Sequence, residues 1–301
     1  MHVLITGSSG LVGSELILFL RTQGHEITRL VRREPKGDHE IRWNPAHGEI
    51  DFMSVEEFDA VVNLSGENLA EGRWTDVRKE QLLRSRVDAT KTLVAGLGRL
   101  KSKPRVLVNA SAIGFYGSRG EEEVSESSPI GNGFLPEICL AWETHAAAAE
   151  KIGIRTVFLR TGVVLTPKGG ALAKLLPPFQ MGVGGPVGGG KMWVSWITLD
   201  DLLDVIYYAI VDEHVRGPLN AVTPNPVRQE EFAAVLGRVL GRPAAVPTPA
   251  LVVKLLFGQM AEETILTSAK VKPAKLLQSK NFSFRYPYLE AAFRHVLGRA
   301  D

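Results

Sequence analysis

The chain has 301 residues, 45% hydrophobic and 23% charged, with a formal net charge of +2. That length can bury a sizeable core in one domain or two coupled ones, and the near-balanced charge argues against a nucleic-acid or anionic-membrane partner. Cys139 is the single cysteine, so no internal disulfide forms, and no apolar run approaches the roughly 20 residues that cross a bilayer. Strand-like residues begin at His2, which leaves no room for a signal peptide, and the expectation is a soluble, cytoplasmic protein.

In chain order, residues 2–6 (HVLIT) read as a strand and Leu11 to Arg21 as a helix. Further strands are expected at 25–31, 58–64, 104–112 and 154–162, with amphipathic helices at 75–100 and 135–151 between them. Short apolar runs without strict alternation suit strands buried on both faces, and strand–helix alternation implies a doubly wound parallel sheet, an α/β Rossmann-like fold. The acidic stretch Glu121–Glu126 reads as a solvated loop, and residues 181–191 as a glycine-rich, substrate-side loop. Thr198-Leu-Asp-Asp201 reads as a capping box opening a helix that runs through Asp212. After Pro224 come proline-punctuated helices at 228–240, 249–258 and 288–298. The expected division is a larger α/β domain over 1–222 and a smaller, mostly helical region over 223–301.

Gly7-Ser-Ser-Gly10-Leu-Val-Gly13 lies between the first strand and the first helix. Glycines there permit a tight turn and close approach of backbone to a pyrophosphate, and the helix N-terminus offers N–H donors and partial positive charge. The alternative is a turn with nothing bound. The second strand ends Val31-Arg32-Arg33, with no acid before Glu34. An acid there would hold a ribose 2′-hydroxyl, whereas guanidiniums grip a 2′-phosphate, so the expected cofactor is NADP(H). Two solvated surface arginines are the other reading.

These stretches, with NLSG at 63–66, SAIGFYG at 111–117 and LRTGVVL at 159–165, resemble the extended short-chain dehydrogenase/reductases. NLSGENLAEGRW (63–74), LLRSR (82–86), the 182–201 block and residues 271–289 are more similar to one atypical branch. That branch is the NAD(P)-dependent epimerase/dehydratase-like family with a C-terminal domain of unknown function. The resemblance implies that Gly7, Ser9, Gly10, Leu11, Val12 and Gly13 meet the pyrophosphate, and that Arg32 with Arg33 meets the 2′-phosphate. It implies that Leu64, Ser65 and Gly66 line the adenosine ribose, while Val163 and Val164 lie near the nicotinamide. It also suggests that Glu67, Arg73 and Arg86 act near the cofactor, with a helix-face ion pair as the alternative.

The wider superfamily uses Tyr-x-x-x-Lys, in which the lysine lowers the tyrosine pKa, with a Ser or Thr upstream. Here none of the five tyrosines is followed four residues later by lysine, and the helix where the pair should lie begins Leu135-Pro-Glu-Ile-Cys139. Candidate replacements are Tyr116, Ser111, Glu137 and Glu143, with His145 on the same helix as Glu143. Glu143 alternatively belongs to a solvated helix face, and Tyr116 to the packing beneath the site. No metal site is expected, because the histidines do not cluster with carboxylates. Lys191, Trp193 and Trp196 form either a substrate-side wall or a structural loop with core tryptophans.

The expected function is an NADP(H)-dependent oxidoreductase or epimerase-like enzyme acting on a small carbonyl, hydroxyl or sugar-type molecule. The alternative is a non-catalytic NADP(H) sensor or scaffold. Helices 75–100 and 135–151 offer a homodimer contact by analogy.

Overall fold

A computed structural model describes residues 1–52 and 57–299. The first half alternates as expected: β1 (His2–Thr6), α1 (Leu11–Thr22), β2 (Glu26–Val31), β3 (Glu40–Asn44), β4 (Glu49–Ile50), β5 (Ala60–Asn63), α2 (Asp76–Arg99) and β6 (Val106–Ala112). Next come β7 (Glu123–Val124), α3 (Phe134–Ala147), β8 (Arg155–Thr161), β9 (Val163–Leu165), α4 (Gly170–Gln180), β10 (Trp193–Val194), β11 (Trp196–Thr198), α5 (Leu199–Val211) and β12 (Gly217–Ala221). The C-terminal part holds β13 (Val227–Arg228), α6 (Gln229–Leu240), α7 (Ala250–Phe257), β14 (Lys270–Val271), α8 (Ala274–Gln278) and α9 (Leu289–Val296).

Eight strands form one sheet in the order β12-β8-β6-β5-β1-β2-β3-β4. Every neighbouring pair from β12 to β3 is parallel, and only β3–β4 is antiparallel. Consecutive side chains on each strand enter opposite layers. Val3 and Ile5 pack with Leu16 and Leu20 of α1 and Leu202 and Ile206 of α5. Leu4 packs on the other face with Leu93 and Leu97 of α2 and Ala146 of α3. Burying each such aliphatic chain contributes about 1.5–3 kcal/mol, which explains why these strands are apolar on both faces. The chain runs outward from β1 in one direction through β2 and β3, and in the other through β5 and β6. The carboxyl ends of β1 and β5 therefore flank the switch point where ligands of open α/β sheets settle.

A third cluster joins Leu172, Leu176 and Phe179 of α4 and Trp196 of β11 to Phe232 and Leu236 of α6 and Phe293 of α9. The small region is thus packed from two chain segments, one on each side of residue 222. Trp196 is fully buried in it, so it belongs to the core and not to a substrate-side wall.

Two further expectations are refined. The helix expected over 135–151 ends at Ala147 and tightens into a 3-10 turn, Ala148–Ile152, before Gly153 at φ +83°. In the acidic stretch Glu121, Glu122 and Glu123 are exposed as a solvated loop requires, but Glu123–Val124 pairs with Lys270–Val271 as a short strand. Glu126 there is buried and accepts from the backbone N–H groups of Asn220 (3.2 Å) and Ala274 (3.1 Å).

Candidate cofactor site at the sheet switch point

β1 ends at Thr6, and the chain turns through Gly7 at φ +65°. A Cβ on Gly7 would stand 2.5 Å from the Leu64 carbonyl oxygen, and one on Gly13 would stand 2.3 Å from the Gly7 oxygen. The turn is so tight that only glycine fits either place. Gly10 closes it, donating its N–H to Gly7 O at 3.0 Å, and serves as the N-cap of α1 without a side-chain hydrogen bond. α1 has no acidic residue in its first turn, whereas Thr75 and Thr198 cap α2 and α5, each of which does. The positive end of α1 is therefore left without a carboxylate or hydroxyl of its own, an arrangement suited to an anion. Ser9 and Gly10 are exposed there, while Leu11 and Val12 are half-buried.

The loop after β5 is fixed by a buried polar network. Thr6 Oγ1 donates to Asn63 Oδ1 (2.6 Å), and Asn63 Nδ2 donates to Asn109 Oδ1 (2.6 Å) and Thr90 Oγ1 (3.1 Å). Leu64 N–H donates to Thr6 Oγ1 (3.1 Å) and Ser65 N–H to Asn63 Oδ1 (3.3 Å). Three strands and α2 are thus tied together beneath Leu64, Ser65 and Gly66, and a satisfied network of this kind holds one loop conformation. Arg86 supports the same loop from below. Its Nη2 donates to Glu67 O at 2.9 Å, its guanidinium lies 5.0 Å from the Trp142 ring, and a Cβ on Gly66 would fall 3.1 Å from its Cζ. Burial lowers the Arg86 pKa to about 10. Its contacts are with backbone carbonyls, the Ser85 hydroxyl and Trp142, while Glu67 pairs with Arg78. Arg73, at the end of the same motif, is exposed and donates to Leu255 O at 3.3 Å.

The two arginines after β2 separate. Arg33 makes two hydrogen bonds to Glu40 of β3, at 2.6 and 2.7 Å, and Arg29 pairs with the same carboxylate. The expectation that both guanidiniums are available to a ligand is corrected for Arg33, because the buried Glu40 carboxylate already holds it. Arg32 is exposed and has no hydrogen-bond or ion-pair partner among the described residues. Val163 and Val164 are half-buried beside the start of α4, where Leu11 lies against Gly169.

Ser111, Glu143 and Tyr116 come together in one buried network. Ser111 Oγ donates to Glu143 Oε1 at 2.7 Å. Arg160 clamps Glu143 through Nε and Nη2, both at 2.8 Å, and donates from Nη1 to the Tyr116 hydroxyl at 3.0 Å. Tyr116 in turn donates to Asn220 Oδ1 at 2.7 Å and is fully buried. Burial raises the Tyr116 pKa, with Arg160 opposing the shift. Glu143 is thus no member of a solvated helix face. Glu137 is exposed on the first turn of α3. His145, half-buried on α3, has its pKa lowered by burial and by Lys91. Among the described residues no three His, Cys, Asp or Glu side chains group at metal-holding positions. Arg160 and Asn220 are the members that motif reading missed, since Arg160's partners lie 17 and 44 residues away in sequence and Asn220's lies 104 away.

The glycine-rich loop is pinned and not free. Gly188 N–H donates to Thr248 O (2.9 Å), Thr248 N–H to Pro186 O (2.8 Å), and Val187 N–H to Gln229 Oε1 (2.7 Å). Trp193 is half-buried, with Arg228 at 4.1 Å and Lys270 at 5.2 Å from its ring.

The sequence profile of the NAD dependent epimerase/dehydratase family matches residues 3–220, which span the whole site. The chain belongs to that family. A domain of unknown function, DUF1731, matches residues 248–296. Among members of the epimerase family, a Mycobacterium tuberculosis protein is 38% identical over 297 residues, 99% of this chain and 98% of that one. Human SDR39U1 is 34% identical over 300 residues, 99% of this chain and 100% of that one. The crystal structure of human SDR39U1 (isoform 2) with NADPH superposes with a TM-score of 0.90 at 31% identity and covers both chains completely. A nucleoside-diphosphate sugar epimerase from Corynebacterium glutamicum gives 0.81 at 38% identity, with 99% of this chain aligned to 58% of that one. This member of the epimerase family therefore has a Rossmann-like sheet with a helical C-terminal region, as the strand order shows independently.

Proposed function

We propose that the protein binds NADP(H) at the switch point and is an oxidoreductase or epimerase-like enzyme for a small carbonyl, hydroxyl or sugar-type substrate. One observation carries the cofactor reading. The uncapped N-terminus of α1 and Arg32, which has no partner among the described residues, stand at the carboxyl ends of neighbouring strands, one suited to a pyrophosphate and the other to a 2′-phosphate. The NADPH-bound human relative supports the same reading.

In this reading the N–H groups of Leu11 and Val12 receive the pyrophosphate, and Ser9 and Gly10 let it approach. Leu64, Ser65 and Gly66 line the ribose, while Val163 and Val164 face the nicotinamide end. A bound nicotinamide supplies hydride transfer. The protein's part is to orient it and to hold Ser111, Glu143 and Arg160 in one fixed arrangement beneath. Titration calorimetry with NADPH and NADH tests this reading. It requires NADPH to bind at least tenfold more tightly, and binding of neither would overturn it.

The second reading, a non-catalytic sensor, draws on the same buried network. Ser111, Glu143 and Tyr116 already satisfy one another through Arg160 and Asn220, so none is free to carry a proton in this arrangement. Reproducible NADPH oxidation with any member of a carbonyl panel, lost in Ser111→Ala, would exclude it.

A further inference from the structure

Arg86 is a buried cation without a carboxylate. It is 6% exposed, and burial lowers its pKa only to about 10, so it stays charged at neutral pH. A desolvated charge is costly unless an opposite charge accompanies it. Arg160, the other buried arginine of the site, has Glu143. The one carboxylate that acts on Arg86 among the described residues is Glu67, and Glu67 is paired with Arg78. Arg86 and Arg78 against Glu67 leave one positive charge. Glu71 and Glu263, which accept only from neutral donors, do not offset it.

The hydrogen bonds of Arg86 leave one edge free. Nη1 donates to Leu82 O (3.0 Å) and Ser85 Oγ (3.4 Å), and Nη2 to Glu67 O (2.9 Å). Nε–H has no acceptor among the described residues. The unpartnered Nε atoms of Arg29 and Arg78 are sealed from solvent, whereas that of Arg86 is not. Gly66 lies beside this edge and is exposed. A Cβ there would stand 3.1 Å from Cζ and 3.3 Å from Nε, so any other residue would crowd the free N–H. Gly66 is not in the left-handed region, so the close approach to Arg86, and not the backbone angle, favours glycine. Acceptors are short around the cation too. The Trp142 ring lies 5.0 Å from the guanidinium, and its indole N–H is buried without a partner.

Cys139 of α3 connects Arg86 to the buried serine network. Its thiol lies 3.7 Å from Ala112 O, meets Ser111 and feels the charge of Arg86. Burial pushes that thiol up to about 11, so it is neutral and is no counter-ion. Arg86 therefore stands between the cofactor loop at Gly66 and Ser111 at the end of β6. A single uncompensated charge with one free N–H on a narrow edge suits a small, flat monoanion, a carboxylate, better than a phosphate dianion.

Resting on the proposed function above, we infer that the substrate is a small carboxylic acid whose carboxylate accepts from Arg86 Nε–H beside Gly66, with its reacting hydroxyl or carbonyl toward Ser111.

The test titrates butanoate and benzoate, with butanamide and benzamide as neutral counterparts, into NADPH-saturated protein by calorimetry. At least one carboxylate is expected to bind about tenfold or more tightly than its amide. Arg86→Gln, which keeps a donor for Glu67 O, is expected to erase that preference. Gly66→Ala leaves the cation in place and crowds Nε with a methyl group, and is expected to weaken the carboxylate by about tenfold. Arg84→Gln, exposed on α2, is the control and should keep the preference. Thermal unfolding and NADPH titration check each variant, and Gly66→Ala decides alone should Arg86→Gln fail to fold. Failure of both carboxylates to bind NADPH-saturated protein would overturn the inference and leave the cofactor reading standing. So would equal affinity for acid and amide, or a preference that survives Arg86→Gln or Gly66→Ala. A loss of NADPH affinity in Arg86→Gln as large as the loss of carboxylate affinity would assign the cation to the cofactor and overturn the inference as well. Carboxylate binding by protein that does not bind NADPH would overturn the cofactor reading instead.

Discussion

Glu143 and Arg160 meet in a two-bonded ion pair inside the protein, with side chains only 8% and 5% exposed. The pair joins α3 to β8, and through Ser111 it reaches β6. Removing one partner of a buried pair leaves an uncompensated charge, which costs about 3–5 kcal/mol. Arg160→Met should lower unfolding stability by that amount in urea titration. Arg160→Met/Glu143→Leu should recover much of the loss, because both charges leave together.

The glycine turn makes a steric prediction that separates it from ordinary surface glycines. Gly13→Ala puts a methyl group 2.3 Å from Gly7 O, a backbone atom that cannot retreat without opening the turn. It should cost about 2 kcal/mol or more and abolish NADPH binding. Gly24, at φ +76° with nothing within 4 Å of an added Cβ, is the control. Gly24→Ala should cost about 1 kcal/mol from backbone strain alone and leave binding intact. Thermal unfolding and NADPH titration read both effects.

Asp201 straps the C-terminal segment to the sheet domain. Fully buried, it accepts from the backbone N–H of Arg285 (2.7 Å) and Tyr286 (3.1 Å) and from Thr198 Oγ1 (3.0 Å). Asp201→Asn turns one acceptor into a donor facing donors, which costs about 1–3 kcal/mol. Hydrogen exchange at the Arg285 and Tyr286 amides should accelerate about tenfold or more, while the β1 and β5 amides stay protected.

Glu40 gives a pH dependence of known sign. Its hydrogen bond from Arg33, then that from the Lys36 N–H, holds its pKa at about 2, below the ordinary 4.5. A carboxyl whose pKa is depressed by folding adds stability above its unfolded pKa and loses it as pH falls through the folded value. The wild type should therefore lose stability between about pH 4.5 and 2 more steeply than Glu40→Gln. Urea midpoints across that range measure the difference.

The first strand, glycine turn and helix were legible because three local signals agree: an apolar run, a glycine spacing and a helical period. β3 was not, since Glu40 and Arg42 interrupt its apolar run. Glu40 is buried only because Arg29 and Arg33 neutralise it, a partnership made across two strands. Arg32 and Arg33 looked equivalent for the same reason, and only the position of Glu40 tells them apart. Glu126 read as solvated because the backbone it holds at Ala274 lies 148 residues further on. Ser111, Tyr116 and Glu143 were legible as candidates one at a time. Their mutual saturation was not, because it depends on Arg160 arriving from the neighbouring strand.

The most direct measurement is the ratio of NADH to NADPH dissociation constants in wild type, Arg32→Ala and Arg33→Ala. A guanidinium that grips the 2′-phosphate contributes about 1.5–3 kcal/mol, so Arg32→Ala should weaken NADPH by about tenfold or more with NADH unchanged. Arg33→Ala should move the ratio far less, because Glu40 already holds that side chain. An unchanged ratio in Arg32→Ala would contradict the assignment of the 2′-phosphate to Arg32, and with it the preference for NADP(H).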